Sequence, residues 1–129
     1  MGPNPRVQVI TSHSNELRVP NFSTYAPAKT FATLWAQTLA LELRSTNTKI
    51  SIICAGAMDT EFGSRAGIPK MVSAIASPDQ IAEKCIARLD SAGTFYLSLY
   101  DKLIWAMSRY LPRFIIDFLV SRIQARYVQ

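Results

Sequence analysis

Histidine is almost missing from this chain: His13 is the only one among 129 residues. With Cys54 and Cys85 as the only cysteines, a zinc cluster lacks ligands and a disulfide framework lacks partners. Cys54 stands in a β-branched run and Cys85 in a helical pattern, so both read as small buried hydrophobes. Glycine is scarce as well. Gly2, Gly56, Gly63, Gly67 and Gly93 form no G-x-G-x-x-G between a strand and a helix, so no phosphate-cradling turn is legible. No uninterrupted apolar run reaches the length of a membrane span. The first residues do not read as a charged-then-apolar leader. No basic patch is interleaved with aromatics, so nucleic acid is not an expected partner. Acidic side chains are outnumbered nine to fourteen, for a net charge of +5. Part of that excess is C-terminal, in Arg109, Arg113, Arg122 and Arg126, and it reads first as a solvated helical face. Its sharper reading is a surface for anionic lipid or a phosphorylated cofactor.

What is present suffices for one core, at 49% hydrophobic residues. Residues 6–12 alternate Val, Val and Ile with polar residues and predict a strand. Asn15 to Ser23, containing Pro20, predicts a loop, and a helix follows from about Ser23 to Arg44. Pro27 falls in its first turn, where a missing N–H costs little. Phe31, Leu34, Trp35, Leu39, Leu41 and Leu43 are too many for one stripe, which predicts burial on more than one face. Lys49 to Ala55 is a continuous, β-branched run in the manner of a buried parallel strand. Residues 59–76 predict a loop with a short helix. Ser77-Pro78-Asp79-Gln80 reads as a capping box opening a helix that ends near Ser91. Gly93 then turns the chain into a third strand, Thr94 to Leu99.

The residues with the most chemical content are Ser12, Tyr25 and Lys29. Tyr25 and Lys29 are four apart at the start of the helical pattern and so share a face. A free phenol, with its ordinary pKa of about 10, is a poor acid or base at neutral pH. A fixed cation beside a phenol favours its charged form. Ser12, thirteen residues before Tyr25, would supply a hydroxyl to orient a substrate oxygen. A Ser12–His13 hydrolase pair is disfavoured, because adjacent strand residues point to opposite faces and no nucleophile-elbow glycines surround Ser12.

From Arg6 to Phe62 the chain resembles the short-chain dehydrogenase/reductase family. The resemblance rests on the strand ending in Ser12, on Tyr25-x-x-x-Lys29 at this spacing, and on Gly56 and Thr60 in register with the family's Pro-Gly-x-x-x-Thr segment. Ala55 stands where the proline is usual. The resemblance implies an NAD(P)-dependent oxidoreductase interconverting an alcohol and a carbonyl. Tyr25 would be its acid or base, Lys29 would also bind the nicotinamide ribose, and Ser12 would hold the substrate oxygen. Gly56, Met58 and Thr60 would flank the nicotinamide carboxamide, with NAD or NADP as cofactor. The family's Gly-rich turn and its upstream catalytic asparagine have no counterpart here. The expectation is therefore α/β: the C-terminal half of a doubly wound, Rossmann-like parallel sheet, about three strands with flanking helices, over residues 1–100. The missing half would lie upstream or on another chain.

Residues 101–129 form the tail, which predicts two amphipathic helices broken at Pro112. The tail packs over the substrate end of the sheet or against a second subunit, or else it touches a membrane surface or covers a lipophilic substrate. The resemblance also implies that the long helix packs against its twin in a homo-oligomer. The expected location is cytoplasmic or peripheral to a membrane. The alternative is a truncated, non-catalytic relative serving as a dimerisation or membrane-associating module.

Overall fold

The computed structural model describes residues 4–65 and 76–125. Three strands, β1 (Arg6–Ser12), β2 (Lys49–Ala55) and β3 (Gly93–Tyr96), form one parallel sheet in the order β1-β2-β3. β1 pairs with β2 from Arg6↔Lys49 to Ser12↔Ala55, and β2 pairs with β3 from Ser51↔Gly93 to Cys54↔Tyr96. β2 is central and buried on both faces, as its unbroken apolar run predicts. Its side chains alternate. Ile50, Ile52 and Cys54 pack with Ala36, Leu39 and Ala40 of α1 (Tyr25–Glu42). Ile53 and Ala55 pack with Ile81 and Cys85 of α3 (Pro78–Ile86) on the opposite face. Period two in one strand thus creates both cores, and the described residues form the expected half of a doubly wound sheet. Both cysteines are free and buried. Burial pushes the thiol of each above its ordinary value.

The local signals held where a side chain closes a hydrogen bond. Ser77 accepts from Gln80 N at 3.2 Å while Gln80 Oε1 accepts from Ser77 N at 3.3 Å, a complete capping box. The helix it opens stops at Ile86, short of Ser91, and a run of turns continues it, with Arg88 N on Cys85 O and Ser91 N on Arg88 O. α1 is shorter than expected at both ends. Thr24 makes no side-chain cap, so the helix starts only at Tyr25, and its last turn tightens into a 3-10 turn over Leu43–Ser45. The expected loop from Asn15 is partly a 3-10 turn, His13–Glu16, capped by Ser12.

The third strand is the clearest correction. It ends at Tyr96 rather than Leu99, because Ser98 caps a helix, α4 (Leu99–Tyr110), through a second box with Asp101. α5 (Arg113–Ala125) follows across Pro112, where Leu111 takes the extended backbone that a following proline imposes. Between β2 and α3, Met58 bridges Ala76, and the short α2 (Glu61–Arg65) provides the expected helix of that region; residues 66–75 lie outside the described residues. The second apolar face of α1 is open in the single chain: Phe31 is 72% and Leu41 70% exposed.

Candidate active site

Parallel strands bring their carboxyl ends to one edge, where open α/β sheets hold their ligands. Ser12 ends β1 in register with Ala55, and Gly56 follows β2 directly. Ser12 is buried, and its Oγ accepts from Ser14 N at 3.3 Å and Ser14 Oγ at 3.0 Å. A hydroxyl that accepts twice keeps its own proton to donate, which is what holding a substrate oxygen requires. Tyr25 is the first residue of α1. Its ring is edge-on to Phe22 at 5.8 Å and tilted against Phe62 of α2 at 5.4 Å. Lys29 Nζ stands 5.7 Å from the Tyr25 ring centroid, so the two share a face as their spacing predicts. Among the described residues no hydrogen bond joins Ser12 to Tyr25. Met58 and Thr60 lie exposed on the segment after β2, where Thr60 N bonds Met58 O at 2.9 Å.

Sequence reasoning missed a group on the same edge. Asp101 is buried in the first turn of α4, and its Oδ2 accepts from Ser98 N at 3.1 Å. Its Oδ1 accepts from His13 Nδ1 at 2.8 Å. Burial works to raise the pKa of Asp101, and the hydrogen bonds from His13 and Ser98 outweigh it, holding the carboxyl below its ordinary value. Gly56 is part of the same contact: a Cβ there would stand 2.5 Å from Asp101 Oδ1. One carboxylate therefore bolts α4 to the ends of both β1 and β2. A signal for it was legible, since Ser98-x-x-Asp101 is a capping-box string. The segment reads equally well as the end of a strand, and that reading hid it.

Two further features border the site. Asn15 is buried, donating from Nδ2 to Thr33 Oγ1 at 2.8 Å, and its Oδ1 has no hydrogen-bond partner among the described residues. It lines an open groove of about 970 Å³ between the loop after the 3-10 turn, the start of α1 and Arg113 of α5. Ser12, Tyr25 and Lys29 are not among the groove's walls. α5 is tied to this loop by the Arg18–Asp117 ion pair at 2.7 Å and by Arg113 donating to Glu16 O at 3.3 Å.

These features define an α/β protein with its polar residues gathered at the carboxyl ends of parallel strands. The chain belongs to the short chain dehydrogenase family, whose profile matches residues 3–70, just over half of it. Two solved structures are similar in fold. One is a short chain dehydrogenase from Burkholderia cenocepacia J2315 in complex with NADP, 13% identical with a TM-score of 0.68, over 95% of this chain and 48% of that one. The other is a short-chain dehydrogenase from Sphingobium yanoikuyae in complex with NADPH, 24% identical with a TM-score of 0.62, over 79% of this chain and 42% of that one. The chain thus spans about half the length of the structures it resembles. No curated protein matches it.

Proposed function

We propose that these residues are the catalytic part of an NAD(P)-dependent oxidoreductase interconverting an alcohol and a carbonyl. The observation that carries the reading is the Lys29 ammonium beside the Tyr25 ring. Family membership and the NADP- and NADPH-bound neighbours support it. In this reading Tyr25 gives a proton to the carbonyl oxygen in reduction and takes one from the hydroxyl in oxidation. Lys29 keeps a cation beside that phenol and meets the ribose hydroxyls of the cofactor. Ser12 donates a hydrogen bond to the reacting oxygen and keeps its proton. Gly56, Met58 and Thr60 would lie along the nicotinamide. When bound, the nicotinamide supplies or accepts the hydride. The Tyr25–Lys29 pair and the segment after β2 suit the nicotinamide end of a dinucleotide. A pyrophosphate cradle is not found among the five glycines and would come from residues outside these 129 or from another chain.

Phe22 and Phe62 against Tyr25 favour a lipophilic substrate. The open face of α1, with Phe31, Leu34, Trp35 and Leu41 exposed, suits a second copy of the chain. Leu99, Leu103 and Tyr110 form an exposed row on α4 with Lys102 and Arg109 beside it. That row suits peripheral contact with an anionic membrane. No described helix is long and apolar enough to cross one. The same exposed faces favour the second reading, a non-catalytic dimerisation or membrane-associating module.

The test is NADH- and NADPH-dependent turnover of a ketone series, and of the matching alcohols, by the full-length native polypeptide. Tyr25→Phe is expected to lower kcat by about 100- to 10,000-fold with little change in Tm. Undiminished turnover in Tyr25→Phe, or none in the wild type, would overturn the reading in favour of the module.

A further inference from the structure

Residues 13–24 join Ser12 to Tyr25, two members of the candidate site. They begin with the 3-10 turn His13–Glu16, and residues 17–24 contain no helix or strand. Leu17 N bonds Ser14 O at 3.0 Å and Phe22 N bonds Val19 O at 3.1 Å. A run with so little regular backbone bonding takes its position from what grips it.

It is gripped from two sides. On the inner side Asn15 donates to Thr33 of α1 at 2.8 Å and to the Cys54 thiol of β2 at 3.5 Å, while its carbonyl accepts from Thr30 at 2.7 Å. On the outer side the C-terminal helices hold three residues. His13 bonds Asp101 of α4, Glu16 O accepts from Arg113 of α5, and Arg18 meets Asp117 of α5. The last contact is fork to fork, Nε to Oδ1 at 3.2 Å and Nη2 to Oδ2 at 2.7 Å. Two such bonds fix orientation as well as distance. Between described residues, every hydrogen bond or ion pair that a side chain of α4 or α5 makes outside the two helices ends on residues 13–18, the Ser98 cap aside. Helices packed only to cover apolar surface would scatter their polar contacts. These converge on the segment directly after Ser12.

We propose that Asp101, Arg113 and Asp117 are positioning residues: α4 and α5 form a strap that holds residues 13–18 in place and so sets where Ser12 stands relative to Tyr25. Each acts through the backbone that joins Ser12 to Tyr25 and not on the reacting atoms. This rests on the oxidoreductase reading.

The Arg18–Asp117 pair is the place to test it. Its side chains are 64% and 39% exposed, and a surface pair contributes little to global stability. Asp117→Arg sets two like charges face to face; adding Arg18→Asp restores the attraction with the charges exchanged. Hydrogen–deuterium exchange on the full-length polypeptide reads the segment directly. The amides of Leu17 and Phe22 are expected to exchange about 2- to 5-fold faster in Asp117→Arg, the range of one surface pair, with β2 unchanged. NADPH-dependent reduction of a ketone series reads the consequence. In Asp117→Arg kcat is expected to fall about 10-fold, since a small misplacement of reacting groups lowers the rate steeply, while the KM for NADPH stays the same. The exchanged pair is expected to recover both readouts. Ser77→Ala weakens the cap of α3, which packs on the sheet face away from α1, and is expected to leave kcat as in the wild type. Faster exchange with an unchanged kcat would make the strap an anchor only. Exchange at the wild-type rate, or a kcat that the exchanged pair leaves low, would remove the positioning role. Each of these overturns the inference while the oxidoreductase reading stands. Absence of all turnover in the wild type would overturn both.

Discussion

At the scale of single residues, the Asp101 carboxylate ties three parts of the chain together. It takes hydrogen bonds from His13 and Ser98 and leaves no room for a side chain at Gly56. Gly56→Ala must therefore displace a buried charge from its partners or push β2 away from α4. A loss on the order of 1–3 kcal/mol is expected, as for overpacking, measured by urea unfolding. The same change in an Asp101→Ala background is expected to cost less, since the obstructing oxygen is gone. Acid provides a second handle. The folded pKa of Asp101 lies below its ordinary value of 3.8. Its contribution to stability is therefore complete above that ordinary value and is lost as pH falls through the lowered folded one. Tm measured from pH 6 down to pH 3 is expected to fall less steeply in Asp101→Asn than in the wild type, although the variant starts lower.

Elements are held by their ends as much as by their faces. α3 and α4 each start at a serine that bonds the third residue of its helix and is bonded in return. α1, the longest helix, starts at Thr24 with no such bond. Ser77→Ala is expected to cost about 1 kcal/mol, whereas Thr24→Ala should fall within about 0.5 kcal/mol of the wild type. Chemical denaturation of the two variants side by side checks the contrast. α1 can do without a cap because Ala36 and its neighbours are locked against β2, and tertiary burial outweighs the end effect. The capping strings were legible at Ser77 and equally present at Ser98. The second is masked because Thr94, Phe95 and Tyr96 lead into it as strand, and only three-dimensional pairing decides where the ladder ends.

The whole molecule leaves much apolar surface uncovered. β1 forms one margin of the described sheet, with Ile10 51% exposed, and the outer face of α1 is open. An unpaired strand edge and an apolar helix face both favour association. The 129-residue chain by itself is expected to sediment as a dimer or larger species, and Phe31→Glu with Trp35→Glu to shift it toward monomer. A monodisperse, cooperatively melting monomer of the unmutated chain would show that these surfaces need no partner. Intact mass of the native polypeptide bears on the same point, a value about twice that of these residues being expected from the half-length match to the solved structures.

The sequence by itself determined what depends on near neighbours. The alternating strand 6–12, the doubly buried run Lys49–Ala55, the capping box at Ser77, the break at Pro112 and the shared face of Tyr25 and Lys29 are all properties of residues a few positions apart. Only the tertiary structure decided the rest. His13 and Asp101 are 88 positions apart, and their meeting depends on the register of β1 against β2 and on where β3 gives way to α4. The same holds for Gly56, a residue expected beside a cofactor, which the fold also packs against a carboxylate. A buried charge must find its partners wherever the chain brings them, and no local pattern encodes that distance.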